Sequence, residues 1–224
     1  MTLKKVGVGG FASNTGKTTL VCELLRAFPG WEAIKVTRGH YRSCGKDARA
    51  CCVSHLLSDE PLVLSQRSRT DTKGKDTGRY WEAGASDVHW VVATDRQVER
   101  GIKEALGRVA SRGVIIEGNS FSQFVEVDFF VMVAGPAAKI KPTARRALPK
   151  ADALYLPGPA GADADELTRR EITELAARQG MADAPPLYAP ESFADLVGLI
   201  RASLETGGAR ARQECRSAVA ARQL

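Results

Sequence analysis

The residues of this chain best suited to chemistry are Gly10, Ser13, Asn14, Thr15, Gly16, Lys17, Thr18 and Thr19, within the run Gly9-Gly10-Phe11-Ala12-Ser13-Asn14-Thr15-Gly16-Lys17-Thr18-Thr19. A short apolar run, Val6 to Val8, precedes it, and Leu20-Val21-Cys22-Glu23-Leu24-Leu25 follows. A strand feeding a glycine-rich loop that opens a helix aims several backbone N–H groups and the positive end of the helix dipole at one point, which suits a phosphate. Lys17 is placed to reach β- and γ-phosphates as a mobile cation and is a candidate catalytic residue, while the Thr18 hydroxyl is placed to sit on a bound Mg²⁺. The expected ligand is a purine nucleoside triphosphate. Guanine specificity usually shows as an Asn-Lys-x-Asp segment, and with none in the chain both ATP and GTP stay open.

A second group of reactive side chains, His40, Cys44, Cys51, Cys52 and His55, falls within sixteen residues. Thiolates and imidazoles are the ligands of closed tetrahedral zinc sites, and such an ion can fix a loop that lacks a core of its own. Cys44, Cys51, Cys52 and His55 are therefore candidate Zn²⁺ ligands. The spacing is not that of a standard finger, and the alternative is that Cys51 and Cys52 pack beneath the segment while Cys44 is a free thiol. Lys139, Lys141, Arg145 and Arg146 form either a solvated basic face or an anion site for a phosphorylated or pterin-type ligand.

These residues need a scaffold, and the hydrophobic pattern supplies one. Thr18 to Ala27 reads as a helix with Val21, Leu24 and Leu25 on one face, ended by Pro29-Gly30. Trp31 to Thr37 reads as a second strand, burying Ala33, Ile34 and Val36. Residues 41–85 show little sustained periodicity and read as an insertion or lid. From Val88 an alternation returns: a strand to Ala93, then a helix capped by Thr94 or Asp95 with Val98, Ile102, Leu106 and Val109 on one stripe. Further strands follow at Gly113 to Ile116, Phe129 to Val133 and Ala153 to Leu156. Two more helices carry Leu167, Ile172 and Leu175, and Phe193, Leu196, Val197 and Ile200. This pattern predicts an α/β fold: a doubly wound, mostly parallel sheet with helices on both faces and an irregular insertion after the second strand. A single domain over residues 1–205 is expected, with a basic, frayed tail over 206–224.

Composition narrows the function classes. The 224 residues are 44% hydrophobic and 26% charged, as in an ordinary soluble protein. No apolar run approaches the ~18 residues of a membrane span. Met1-Thr2-Leu3-Lys4-Lys5 leads straight into the first strand without room for a signal peptide, so a cytoplasmic protein is expected. The net charge of +6 is scattered and partly confined to the tail, and no interleaving of Lys/Arg with aromatics supports a nucleic-acid groove. Five cysteines in a reducing compartment argue against a disulfide framework.

Two resemblances sharpen this reading. Five residues separate Gly10 from Gly16, one more than the common phosphate-loop spacing, and this resembles dethiobiotin synthetase and the P-loop class that also holds MinD-type ATPases. The run Gly74-Lys75-Asp76-Thr77-Gly78-Arg79, then Glu82-Ala83-Gly84-Ala85, with Ile116-Glu117-Gly118 ending a strand, resembles the molybdopterin-guanine dinucleotide biosynthesis adapter family, MobB. The likeness spans Val6 to Gly118. It implies Glu117 as the Walker B acid that serves Mg²⁺ and orients a water, and Asp76 as a second acid near the γ-phosphate. It also implies slow nucleotide hydrolysis in an accessory role, with a cofactor-biosynthesis enzyme as partner and a homodimer as an option. Two alternatives stay open: an ATP-dependent small-molecule ligase or kinase like dethiobiotin synthetase, and a metallochaperone-type GTPase.

Overall fold

The computed structural model describes residues 2–39, 53–134, 140–158 and 162–206. The cysteine segment and the basic tail fall outside these residues. The fold is α/β, with an eight-stranded sheet in which one pairing, at an edge, is antiparallel and the other reported pairings are parallel. The chain divides into two compact units: one is built on residues 21–126, the other on residues 4–20 with the segment from Val127 onward.

The first unit carries strands β2 (Glu32–Arg38), β3 (Leu62–Leu64), β4 (Val88–Ala93) and β5 (Gly113–Glu117) in the order β3-β4-β2-β5. β2 lies parallel to both β4 and β5, with Ile34 opposite His89 on one side and Ile116 on the other. Strands flanked on both sides and covered on both faces should be apolar throughout. β5 is buried at every position, and Ala33, Ile34 and Val36 are buried in β2. The close fit depends on one small residue: a Cβ on Gly113 would fall 2.2 Å from the Trp31 ring. That ring itself packs on Phe28 with centroids 4.8 Å apart.

Residues 53–85 turn out to contain regular pieces that the hydrophobic pattern hides. β3 adds to β4 as an antiparallel edge with Val63 opposite Val91. At three residues it is too short to show an alternation. Two short helices follow, α2 (Arg67–Thr70) and α3 (Asp76–Glu82). Helix α4 (Val98–Arg108) differs from expectation at its start: Gln97, not Thr94 or Asp95, is the N-cap residue. The Gln97 side-chain carbonyl accepts the Thr94 N–H at 2.9 Å, and Asp95 instead pairs with Arg38 at 2.9 Å. The buried stripe is Val98, Gly101, Ile102 and Ala105, with Leu106 and Val109 at its margin. Gly101 belongs to it because a Cβ there would lie 2.8 Å from Val91 Cγ1, so the helix rests directly on β4.

The second unit holds β1 (Lys4–Gly10), β6 (Phe129–Val133), β7 (Ala153–Tyr155) and β8 (Leu187–Tyr188), parallel and in that order. Carboxylates tie the strand starts: Asp128 accepts the Lys5 N–H at 2.7 Å, and Asp152 accepts the Phe130 N–H at 2.8 Å. Helices α5 (Pro142–Ala147), α6 (Ala162–Arg178) and α7 (Phe193–Thr206) complete it. α7 buries Leu196, Val197, Ile200 and Leu204, while Phe193 stays half-buried and meets Tyr155 edge-on at 6.5 Å. Helix α1 (Lys17–Ala27) begins in this unit and buries Leu20, Val21, Leu24 and Leu25.

Gly113→Ala should lower stability by about 1–3 kcal/mol, the usual cost of overpacking a fitted core. A urea midpoint for this variant equal to that of the wild type would show that the Trp31 contact yields without cost.

Candidate functional site

The phosphate loop is built as its residue types require. β1 ends at Gly10, the loop runs from Phe11, and α1 opens at Lys17. Phe11 is buried and ties the loop down at both of its backbone groups: its N–H donates to Val133 O at 3.0 Å, and its carbonyl accepts the Lys141 N–H at 2.9 Å. The Lys17 side chain folds back over the loop, its Nζ 2.7 Å from Ala12 O and 3.3 Å from Thr15 Oγ1. Thr15 Oγ1 donates in turn to Ala12 O at 3.2 Å. This path of Lys17 explains Gly10, where a Cβ would meet Lys17 Cγ, Lys17 Cδ and Thr15 Oγ1, each at 2.8 Å. Gly16 has φ +87°, a conformation that favours glycine, and its α-carbon backs onto Pro157. The extra residue of the loop is absorbed by Asn14, at φ 58°, a left-handed position that asparagine tolerates better than most residues.

Ser13 and Asn14 are exposed at the loop crest, Thr18 is half-buried in the first turn of α1, and Thr19 is exposed. One further cation reaches the loop. Lys141, the N-cap residue of α5, places its Nζ 2.5 Å from Ser13 Oγ. Of the four basic residues grouped by sequence, Lys141 is thus tied to the phosphate loop by both backbone and side chain, while Arg145 and Arg146 are exposed on α5.

In the first unit a buried charge cluster forms around Glu117. Lys35 and Glu117 are register partners on neighbouring parallel strands, which places their side chains on one face. Glu117 is 2% exposed; its Oε1 pairs with Lys35 Nζ and its Oε2 accepts the Tyr80 hydroxyl. Lys35 also pairs with Asp76 at 2.8 Å. Asp76 and Tyr80 are one turn apart on α3, so they meet the same cluster. Burial alone would lower the Lys35 pKa, but the carboxylates of Glu117 and Asp76 outweigh it and hold the ammonium above the ordinary lysine value. Burial, then the Glu117 carboxylate, pushes the Tyr80 phenol well up, which keeps it a hydrogen-bond donor.

The approach of α3 needs small residues before it. A Cβ on Gly78 would fall 2.2 Å from the Thr72 carbonyl oxygen, so the Gly-Lys-Asp-Thr-Gly segment folds back tightly on itself. Gly74 at φ +75° makes the turn. Sequence reasoning brought Asp76 and Glu117 forward but not Tyr80. The available signals were a lysine inside an otherwise apolar strand, and a tyrosine four residues after the acid. Among the candidate zinc ligands, His55 is exposed in the turn Ser54–Leu56, and Cys44, Cys51 and Cys52 lie outside the described residues. Arg38 pairs with Asp95 across the end of β2.

No protein-family model and no curated protein matches the chain. Solved structures do. The chain superposes on HypB from Helicobacter pylori in complex with nickel with a TM-score of 0.53 and 13% identity, covering 92% of this chain and 89% of HypB. LpxK from Aquifex aeolicus in complex with ATP gives a TM-score of 0.44 at 13% identity, covering 84% and 71%. A Zn(II)-bound triple mutant of the YjiA GTPase gives 0.43 at 17% identity, covering 84% and 58%. The likeness to HypB shows the fold alone, an α/β fold built on a mostly parallel sheet.

Removing either partner of Glu117 leaves a buried carboxylate short of compensation. Lys35→Met should cost about 3–5 kcal/mol of stability and Tyr80→Phe about 1–3 kcal/mol. Because the folded-state pKa of Lys35 is raised, its contribution is complete below the unfolded lysine pKa of about 10.4 and is lost as pH rises through the folded value. Urea midpoints measured against pH should therefore fall more steeply in alkali for the wild type than for Lys35→Met. Parallel curves would mean that the ammonium is not held as described.

Proposed function

We propose that the chain binds a purine nucleoside triphosphate, ATP or GTP, with Mg²⁺ on the loop from Gly10 to Thr19 and hydrolyses it slowly. The observation that carries this reading is the Gly10–Lys17 contact: the lysine that opens α1 lies across the glycine that ends β1, where a Cβ would meet its Cγ and Cδ at 2.8 Å. In this reading Gly16 and the loop amides receive the phosphate oxygens, and Lys17 leaves Ala12 O to meet them. Lys141 follows from its Ser13 bond as a second ammonium for the same oxygens.

The donor set fits magnesium. On the loop the Thr18 hydroxyl is a hard oxygen donor of the kind this ion takes, and the Glu117 carboxylate is assigned to the same ion by the MobB-like segment alone. When bound, the ion neutralises charge on the β- and γ-phosphates. Lys35 and Tyr80 fix Glu117 in orientation, and Asp76 shares the Lys35 charge. An accessory role in molybdopterin-type cofactor maturation, beside a cofactor-biosynthesis enzyme, is supported by the MobB-like segments alone, Gly74 to Ala85 and Ile116 to Gly118. Turnover below about one per minute without a partner suits that role, against a typical enzyme median of about 10 s⁻¹.

Lys17→Ala should weaken MgATP and MgGTP binding by at least about a hundredfold, some 2.7 kcal/mol, while the urea midpoint stays near that of the wild type. Lys141→Ala should weaken both nucleotides by about tenfold. Tight nucleotide binding by Lys17→Ala would remove the loop from the function assigned to it.

A further inference from the structure

A cavity of about 440 Å³ opens in the first unit, lined by Ser65, Gln66, Arg69, Asp87, His89 and Arg108. Glu117 ends β5; this cavity instead gathers residues from the segment after β3, α2, the start of β4 and the end of α4, and none of its lining belongs to the Lys35–Glu117 cluster. Behind it runs a fixed polar chain. His89 is fully buried; its Nε2 lies 2.7 Å from Glu32 Oε2 and its Nδ1 lies 2.8 Å from Ser65 Oγ. Glu32 Oε1 accepts the backbone N–H groups of Ala110 at 2.9 Å and Ser111 at 2.7 Å. Burial would raise the Glu32 pKa, but the bond from His89 and these two N–H groups outweigh it and hold the carboxyl below its usual range. Glu32 is thus an acceptor, Nε2 carries the proton that meets it, and in the neutral imidazole Nδ1 accepts from the Ser65 hydroxyl.

The cavity lining itself carries two guanidinium groups, Arg69 and Arg108, against one carboxylate, Asp87. Asp87 Oδ1 accepts the N–H groups of Gln66 at 3.1 Å and Val88 at 2.7 Å. Arg108 pairs with Glu104 at 2.5 Å, and donates to Val63 O at 2.9 Å and to Ser65 Oγ at 3.1 Å. Arg67 is taken by Asp71 at 2.9 Å. The Arg69 side chain has no hydrogen bond or ion pair among the described residues, yet it lines the cavity. Gln66, between Ser65 and α2, is held at φ 74°, a conformation rare for a residue with a side chain. The Asp87 carboxylate and the α2 amides of Arg69 and Thr70, both bonded to Gln66 O at 3.1 Å, keep it there. Backbone held this way beside a polar cavity is a recurring mark of ligand clamps.

The geometry points to a second ligand site here, for a small molecule bearing a phosphate or carboxylate. Arg69 supplies the uncompensated charge, the N–H groups that Arg108 has left supply direction, and the Ser65 hydroxyl is set by the His89–Glu32 chain. Glu32, Asp87 and His89 also offer one ligand atom each within 4.8 Å of one another, the arrangement a divalent cation would use. A cation there would have to displace the His89–Glu32 bond and sit between the carboxylates and two guanidinium groups, so the oxyanion is the occupant the chemistry favours.

The test uses ¹⁵N-labelled full-length protein titrated with inorganic phosphate, read at the Arg69 and Arg108 Nε–H signals and the Gln66 amide. The same titration in Lys17→Ala separates this site from the phosphate loop. Saturable shifts at these three signals are expected in both proteins, and Arg69→Ala, which removes an exposed side chain without partners, should weaken the affinity about tenfold. A parallel titration with malonate assigns the site to phosphates or to carboxylates by which binds tighter. The proposal is overturned by the absence of saturable shifts in both titrations, or by unchanged affinity in Arg69→Ala. It is equally overturned if Zn²⁺ or Mn²⁺ shifts the His89 ring signals while both anions leave them alone. None of these outcomes depends on whether the loop binds nucleotide.

Discussion

A carboxylate with almost no access to water must be surrounded by cations and donors or give up its charge, and Glu117 stands under that requirement. Much of the first unit is arranged to meet it. The parallel register of β2 and β5 brings Lys35 alongside, and the turn at Gly74 with the bare α-carbon of Gly78 lets α3 come close enough for Tyr80 to donate its hydroxyl. Asp76, on the same helix, shares the one Lys35 ammonium with Glu117. Each of these residues would be costly alone in the interior, and together they fix where one side chain points. A network of that kind narrows the conformations available to the acid without adding much to stability.

The phosphate loop solves a different problem by a related device. Here the charged group is half-exposed, and its ammonium rests on backbone. Lys17 rests on the Ala12 carbonyl, which a phosphate oxygen can outcompete because a charged acceptor binds an ammonium more strongly than a neutral one. Gly10 makes the parking place by having no side chain. Phe11, buried and bonded through both its N–H and its carbonyl, keeps the loop from following the lysine when it leaves.

The parts of this architecture legible in the sequence are those that depend on long apolar runs or on residues with a single steric purpose. β4 and β6 have the limits their hydrophobic runs predict, and α1 starts one residue earlier than expected because Lys17 already has helical geometry. β3 and β8 were hidden, since two or three residues carry no period and their pairing is set by the strand already in place. The start of α4 was hidden because its N-cap residue, Gln97, makes no side-chain cap bond and instead accepts the Thr94 N–H, while Asp95 is drawn off by Arg38. Asp76 and Glu117 were brought forward by the resemblance of their segments to the MobB family. Tyr80 was not, because a tyrosine on an amphipathic helix reads first as core. Its hydroxyl acquires meaning once the register of β2 and β5 is known.

The same slab of sheet carries polar clusters toward both ends of its strands. From Gly113 to Glu117 is five residues, about 13 Å of extended chain, all of it buried. Just before Gly113, the amides of Ala110 and Ser111 hold Glu32; at the other end, Glu117 meets Lys35 and Tyr80. Two buried carboxylates this close would repel if both were uncompensated, yet each has its own partners and the apolar residues between them leave no path of polar groups. Ile34, Val91 and Ile115 provide that separation. A substitution at one cluster should therefore be felt at the other mainly through the position of β2, which carries both Glu32 and Lys35. Because these two residues are three apart on one strand, their side chains leave on opposite faces, and a shift of β2 along its axis would disturb both sets of bonds together.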